Sequence, residues 1–376
     1  MDNFDFYSPT YFAFGDGQET RAGELVRRFG GSRVLVLYGT GSVQRNGVLD
    51  KVLAALDGQK IPYCVEGGIQ PNPRLAKAQA LADAYAGKGI DFLLGVGGAS
   101  VLDTCKAVAI GLACGGSIWD YFCKVRPITG ALPVGSVLTI AAAGSETSDS
   151  AVLTDEATDS KRGCNTPFNR PAFAILDPTL TYTLPAYQTA CGAADMMLHT
   201  MERYFVQGDA MEITDSIAEG LLRTVMAQAL ILRDDPQNYD ARAEVMWAGS
   251  LSHNGLTGCG TGGGKGQAAF QLAAQRRHRA VGLHRAGVVH RAPRAVQHQQ
   301  VVGGGHHAVK ELGKAAALDA GGDVAQQLTA VAGDGPRRHQ AVAGAEKHRA
   351  AIGAGGVQPA PVRVRRRGGQ RGVGAV

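Results

Sequence analysis

Asp91-Phe92-Leu93-Leu94-Gly95-Val96-Gly97-Gly98-Ala99-Ser100-Val101-Leu102-Asp103-Thr104-Cys105-Lys106 decides the fold. An apolar run of strand length ends in glycines and small residues, and a helical pattern follows at once. Glycines at a strand-to-helix turn let the backbone approach a phosphate, and the helix start supplies N–H groups. The same arrangement stands upstream, where Ser32-Arg33-Val34-Leu35-Val36-Leu37-Tyr38 runs into Gly39-Thr40-Gly41-Ser42. Neither turn is a full G-x-G-x-x-G, and βα turns favour glycine in any case. Two of them together point to a nucleotide.

Outward from these two units the pattern repeats. Helical spacing is predicted over 20–29, 43–56 and 75–87. Tyr63-Cys64-Val65, Val134 to Ala143 and Ala172-Phe173-Ala174-Ile175-Leu176 read as further strands, and Phe4 to Gly15 as a strand or hairpin at a sheet edge. Strands alternating with helices predict an α/β, doubly wound parallel-sheet dinucleotide-binding domain over 1–184. After Leu184-Pro185 the pattern turns helical, over 189–206, 212–232 and 239–254. A helical metal-binding domain is therefore expected over 185–264.

Gly192-Ala193-Ala194-Asp195-Met196-Met197-Leu198-His199-Thr200-Met201-Glu202 opens that helical part. Residues four apart share a helix face, so Asp195 and His199 present a carboxylate and an imidazole to one point. That pair suits Zn(II) or Fe(II). The competing reading is an exposed polar pair on an ordinary helix. Met196, Met197 and Met201 read as packing residues, Cys105 as a small buried hydrophobe and Trp119 as core or interface. His253, before Asn254-Gly255, reads as packing or capping a helix end.

The 376 residues are 45% apolar, enough for two cores. No apolar run has membrane length, and the acidic start Met1-Asp2-Asn3-Phe4-Asp5 is unlike a signal peptide. Seven cysteines without CxxC spacing suit reduced thiols. A cytoplasmic chain without a membrane partner is expected. The net charge of +5 hides an asymmetry: residues 265–376 hold 18 Lys and Arg against 5 Asp and Glu, while the remainder is acidic.

These motifs resemble the iron-containing (group III) alcohol dehydrogenases, in particular their butanol dehydrogenase-like branch. The resemblance rests on Asn3 to Thr10, Tyr38 to Val43, Pro71-Asn72-Pro73, Gly97 to Ser100 with Asp103 and Lys106, Ala143 to Glu146, Asp177-Pro178, Gly192 to Glu202, and His253-Asn254-Gly255-Leu256. It implies hydride transfer between NAD(P) and a small primary alcohol or aldehyde, aided by Fe(II) or Zn(II), in a homodimer. It implies that Gly97, Gly98 and Ser100 hold the pyrophosphate, within the cofactor motif that includes Asp103. Gly41 and Ser42 would sit by the adenosine ribose, with Asn72 near. Thr139, Ser148 and Lys161 would line the cofactor cleft, and Asp195 and His199 would be two of four metal ligands. Gly39, where an acid often stands in NAD-selective relatives, leaves room for a 2′-phosphate and favours NADP.

The resemblance ends after Gly260-Thr261-Gly262-Gly263-Gly264. From 271 onward there is no Phe, Tyr, Trp, Met, Cys, Ser or Asn, and such a segment cannot build an ordinary core. It carries eight of the ten histidines (278, 284, 290, 298, 306, 307, 339 and 348), several flanked by Arg, which read as incidental. Three readings of the basic tail compete: a frameshifted stretch, a disordered tail, or a nucleic-acid binder, the last disfavoured because no aromatic is present for base stacking. The expected consequence is a weakly held metal and slow turnover. The rival reading is a catalytically inactive nucleotide-binding protein whose basic tail contacts nucleic acid or acidic surfaces.

Overall fold

The computed structural model describes residues 1–205 and 211–260. The basic stretch 265–376, its eight histidines and Gly262-Gly263-Gly264 lie outside the described residues.

Strands β1 (Tyr11–Phe14), β2 (Val34–Tyr38), β3 (Tyr63–Glu66), β4 (Phe92–Gly97) and β5 (Val134–Leu138) belong to one parallel sheet, completed by β8 (Phe173–Leu176). Its order is β1-β8-β5-β4-β2-β3. The expected edge element is thus β1, paired in parallel with β8. Strands β6 (Ser150–Asp155) and β7 (Ser160–Asn165) form a separate antiparallel hairpin that the sequence reading did not contain.

The alternation along β2 explains the two faces. Val34 and Val36 join Phe92 and Leu94 in one core, covered by α1 (Ala22–Arg28) and α3 (Val48–Gly58). Leu35 and Leu37 join Leu93 in a second core, covered by α4 (Leu75–Tyr85), α5 (Ala99–Cys114) and α6 (Ile118–Phe122). Apolar residues on both faces are what a sheet covered by helices on both sides requires. The single helix expected over 43–56 is broken into α2 (Ser42–Arg45) and α3, because Gly47 between them takes φ 76°. The strand expected over Val134 to Ala143 stops at Leu138. Residues 139–149 leave the sheet, and Gly144 among them takes φ 64°.

Three long helices follow: α7 (Ala186–Tyr204), α8 (Glu212–Asp234) and α9 (Tyr239–His253). Met196, Leu221, Val225 and Val245 form their shared core. Asn254 caps α9 and Gly255 follows with φ 102°, the left-handed turn that ends many helices. Cys105 and Met196 are fully buried, Trp119 packs against the core, and all seven cysteines are free thiols. Among the described residues no helix is long and apolar enough to cross a membrane.

Candidate active site

The sheet reverses its winding between β2 and β4: the chain runs outward from β2 to β3, then returns to the other side of β2. Ligands bind at such a point, beyond the carboxyl ends of the strands. Both glycine turns open there, Gly39 to Ser42 after β2 and Gly98 to Ser100 after β4. Thr139 follows β5, the next strand, and its N–H donates to the Gly97 carbonyl at 3.1 Å. A Cβ on Gly39 would stand 3.8 Å from Val101 of α5, so the two turns are neighbours. Gly39, Gly41, Ser42, Gly97, Gly98, Ser100 and Thr139 thus share one sheet edge.

Local chemistry explains the glycines. Gly41 takes φ 103° as it enters α2. A Cβ on Gly97 would come within 2.7 Å of the Val101 side chain, so α5 could not start as close to the sheet. Asn72, across the cleft, takes φ 58°, and its side-chain oxygen accepts from Lys161 Nζ at 3.2 Å. Lys161 stands on the hairpin strand β7. Burial pushes its amine below the usual lysine value, while the charges of Asp103 and Asp195 push it back up. Lys161 therefore sits within electrostatic reach of both Asp103 on α5 and Asp195 on α7.

Behind the second turn lies a buried cage. Lys106 Nζ donates to the carbonyls of Ser145 (2.6 Å), Ser148 (3.2 Å) and Ser150 (2.8 Å) and to Ser145 Oγ (2.9 Å). Asp103 accepts from Ser145 Oγ at 2.7 Å and from the Val152 N–H at 3.1 Å. Burial lowers the Lys106 amine to about 8, opposed by the charges of Asp103 and Glu146. Burial also raises the Asp103 carboxyl. Asp103 and Ser148 are thus placed inside a lock that shapes residues 144–150. The far side of that loop is fixed to α9, where Ser250 Oγ donates to Glu146 at 2.6 Å.

The helical part seats itself on the same loop. A Cβ on Gly192 would lie 2.3 Å from the Ala141 carbonyl, two residues past Thr139. Helix α7 therefore touches backbone there, and Asp195 follows one turn later. Asp195 Oδ1 stands 3.7 Å from His199 Nε2, as their spacing predicts. An oxygen and a nitrogen donor side by side fit a first-row divalent cation. Among the described residues no group of three or more His, Cys, Asp or Glu side chains is placed to hold a metal.

Around the pair stand His253, read from the sequence as packing or capping a helix end, and two residues, Arg203 and Glu202, to which the sequence reading gave no role. His253, at the end of α9, tilts its ring over His199 with centroids 4.3 Å apart. Arg203 donates to the His199 carbonyl (2.8 Å), the Ser252 carbonyl (2.7 Å) and His253 Nδ1 (2.8 Å). Burial and the nearby cations hold His253 well below the ordinary imidazole value, so it serves as a neutral acceptor. Glu202 stands on the other side of His199, with Oε2 3.9 Å from Nδ1. The i, i+4, i+7 spacing of Asp195, His199 and Glu202 was the signal that could have found it.

The family model described as iron-containing alcohol dehydrogenase matches residues 9–178, and its C-terminal companion matches residues 189–275, past Gly264. The chain is 39% identical over 260 residues to the NADH-dependent butanol dehydrogenase A of Clostridium acetobutylicum, covering 69% of this chain and 67% of that protein. It is 39% identical over 263 residues to the NADPH-dependent aldehyde reductase YqhD of Escherichia coli, covering 69% and 67%. The crystal structure of NADH-dependent butanol dehydrogenase A from Thermotoga maritima superposes with a TM-score of 0.69 at 40% identity, over 70% of this chain and 66% of that one. The match thus spans about two thirds of the length of these relatives.

Proposed function

The chain belongs to the iron-containing alcohol dehydrogenase family, and from that premise we propose that it exchanges a hydride between NAD(P) and a small primary alcohol or aldehyde. The observation that carries this reading is the seating of α7. The helix with Asp195 and His199 rests by Gly192 on Ala141, beside the Thr139 that borders the nucleotide turns. A cation ligand pair and a phosphate cradle are thereby built against one loop.

When bound, Fe(II) or Zn(II) would polarise the substrate oxygen while the nicotinamide exchanges the hydride. The protein's own residues do the rest. The turn from Gly97 to Ser100 presents backbone N–H groups at the start of α5 to the pyrophosphate. Gly41 and Ser42 border the adenosine ribose, with Asn72 held across the cleft by Lys161. Thr139 borders the path between nucleotide and cation, and Ser148 shapes its wall from within the Lys106 cage. Asp195 and His199 would hold the cation, with His253, itself held by Arg203, packed over the His199 ring. NADP is the favoured cofactor, because Gly39 places no carboxylate where a 2′-phosphate would lie. The names of the relatives above divide on this point, two NADH-dependent and one NADPH-dependent.

The test uses the full chain. NADPH and NADH are titrated by fluorescence, iron and zinc are counted in the purified protein, and butanol-dependent NADP reduction is followed. Binding of NADPH at least tenfold tighter than NADH, about 1.4 kcal/mol, is expected. Binding of neither nucleotide would overturn the reading.

A further inference from the structure

Glu202 is 8% exposed, and its Oε1 has no hydrogen-bond partner among the described residues. A buried carboxylate oxygen without a partner is costly, and native proteins keep such groups for a reason. The obvious partner is Arg203, its neighbour in sequence. That guanidinium is turned away, toward the carbonyls of His199 and Ser252 and the ring of His253. No ion pair joins Arg203 to Glu202 among the described residues, whereas Glu202 Oε2 comes to 3.9 Å from His199 Nδ1.

The two carboxylates on α7 face opposite edges of one imidazole. Asp195 lies by Nε2 and Glu202 by Nδ1. Glu202 therefore cannot share a cation with Asp195, and a role as another ligand is excluded by direction. An imidazole that binds a cation through one nitrogen carries its proton on the other, and the partner of that N–H fixes tautomer and ring orientation.

We propose that Glu202 is the positioning residue for His199, accepting the Nδ1–H so that the Nε2 lone pair is aimed beside Asp195 at the cation. The 3.9 Å separation is closed by a small turn of either side chain, and the fixed i, i+3 spacing keeps the two groups on one helix face. His253, at the end of α9 and held by Arg203 of α7, packs over the same ring. This assignment rests on the reading of Asp195 and His199 as cation ligands.

The experiment uses the full chain labelled with 15N, with Glu202→Met and Glu202→Gln variants. The His199 resonances, assigned by comparison with a His199→Ala sample, are recorded metal-free at pH ~8.5, where a free imidazole is neutral. Zn(II) affinity and metal-free melting temperature are measured on each variant. The expected wild type holds its proton on Nδ1. Glu202→Met moves it to Nε2 and weakens Zn(II) binding about 10–100-fold, with a metal-free melting temperature unchanged or raised. Glu202→Gln, which keeps an acceptor oxygen, restores most of both. A residue that only packs the helix would lower the melting temperature and leave the tautomer alone. Wild-type His199 with its proton on Nε2, or a Glu202→Met protein with unchanged tautomer and affinity, overturns the proposal. A wild type that binds no Zn(II) yet holds the Nδ1 proton through Glu202 would refute the cation reading and leave the positioning role standing.

Discussion

The cage around Lys106 and the face of α7 around His199 handle buried charge in opposite ways. In the cage, three carbonyls and a hydroxyl accept from one ammonium, and Asp103 accepts from a hydroxyl and a backbone N–H. On α7, Asp195 and Glu202 stand 3.7 and 3.9 Å from the ring between them, and an oxygen of Glu202 has no partner among the described residues. The nucleotide side is closed by the chain's own hydrogen bonds. The face of α7 holds its charges apart, 3.7 and 3.9 Å from the ring between them. A satisfied polar network rigidifies, while one with open valences is a place where a ligand binds. One molecule thus contains a scaffold and a receiver within a few turns of each other.

The largest expected effect breaks the scaffold. Lys106→Met removes the ammonium, leaves three carbonyls without their donor and strips Asp103 of its countercharge. A loss of roughly 3–5 kcal/mol in unfolding free energy is expected, read from urea midpoints. The pH dependence has a definite sign. Between about 8 and the free lysine's 10.5 the unfolded chain carries a proton on this amine that the folded chain has released. The contribution of Lys106 therefore rises with pH across that window and stays at its lower, constant value below about 8. Wild type should gain on Lys106→Met over the window, by up to ~1.4 kcal/mol per pH unit. A variant as stable as wild type, or a difference that shrinks as pH rises, would show that the cage is not the scaffold described.

The next effect separates the two regions. Gly192→Ala brings a Cβ against the Ala141 carbonyl, so α7 must lift from the loop. About 1–3 kcal/mol of stability is expected to be lost. Zn(II) affinity should fall more than NADPH affinity, because only the receiver rides on α7. Equal losses in both would mean that the two regions move as one body.

The smallest effect sharpens the nucleotide side alone. At Gly39 a Cβ would meet nothing closer than the Ile69 carbonyl at 3.6 Å, so a side chain is tolerated. Gly39→Asp should keep the fold and weaken NADPH about tenfold relative to NADH, ~1.4 kcal/mol. Unchanged preference in paired titrations would remove the argument for NADP.

The same contrast governs what the sequence makes legible. Strands β2 and β4 are read at sight, because runs of buried apolar residues ending in glycine have few alternatives. The turns Gly39 to Ser42 and Gly97 to Ser100 stand out in the sequence for the same reason, and the Asp195–His199 pair stands out by helical spacing. The hairpin β6–β7 was missed, since Ser160-Lys161-Arg162-Gly163-Cys164-Asn165 has the composition of a loop and gains its strand form only from pairing with β6. The strand expected to run on to Ala143 stops early because tertiary contact with α7 and α9 overrides the propensity of Ile140 to Ala143. Glu202 was quoted in its stretch and given no role, because its partner is a nitrogen whose direction no sequence records.

The seam between sheet and helices has a consequence for how this chain can vary. It is made of side chains that are not there. Gly192 meets the Ala141 carbonyl, and Gly144 meets the Gly249 carbonyl and His253, each at a distance where no Cβ fits. A core of leucines can be repacked in many combinations, because volume lost at one position is recovered at another. A joint of backbone on backbone has no such exchange, since nothing smaller than glycine exists. In a saturation library the narrowest tolerance should fall at these plain positions rather than at the charged or aromatic residues that draw the eye, with Gly144, at φ 64°, the narrowest of all.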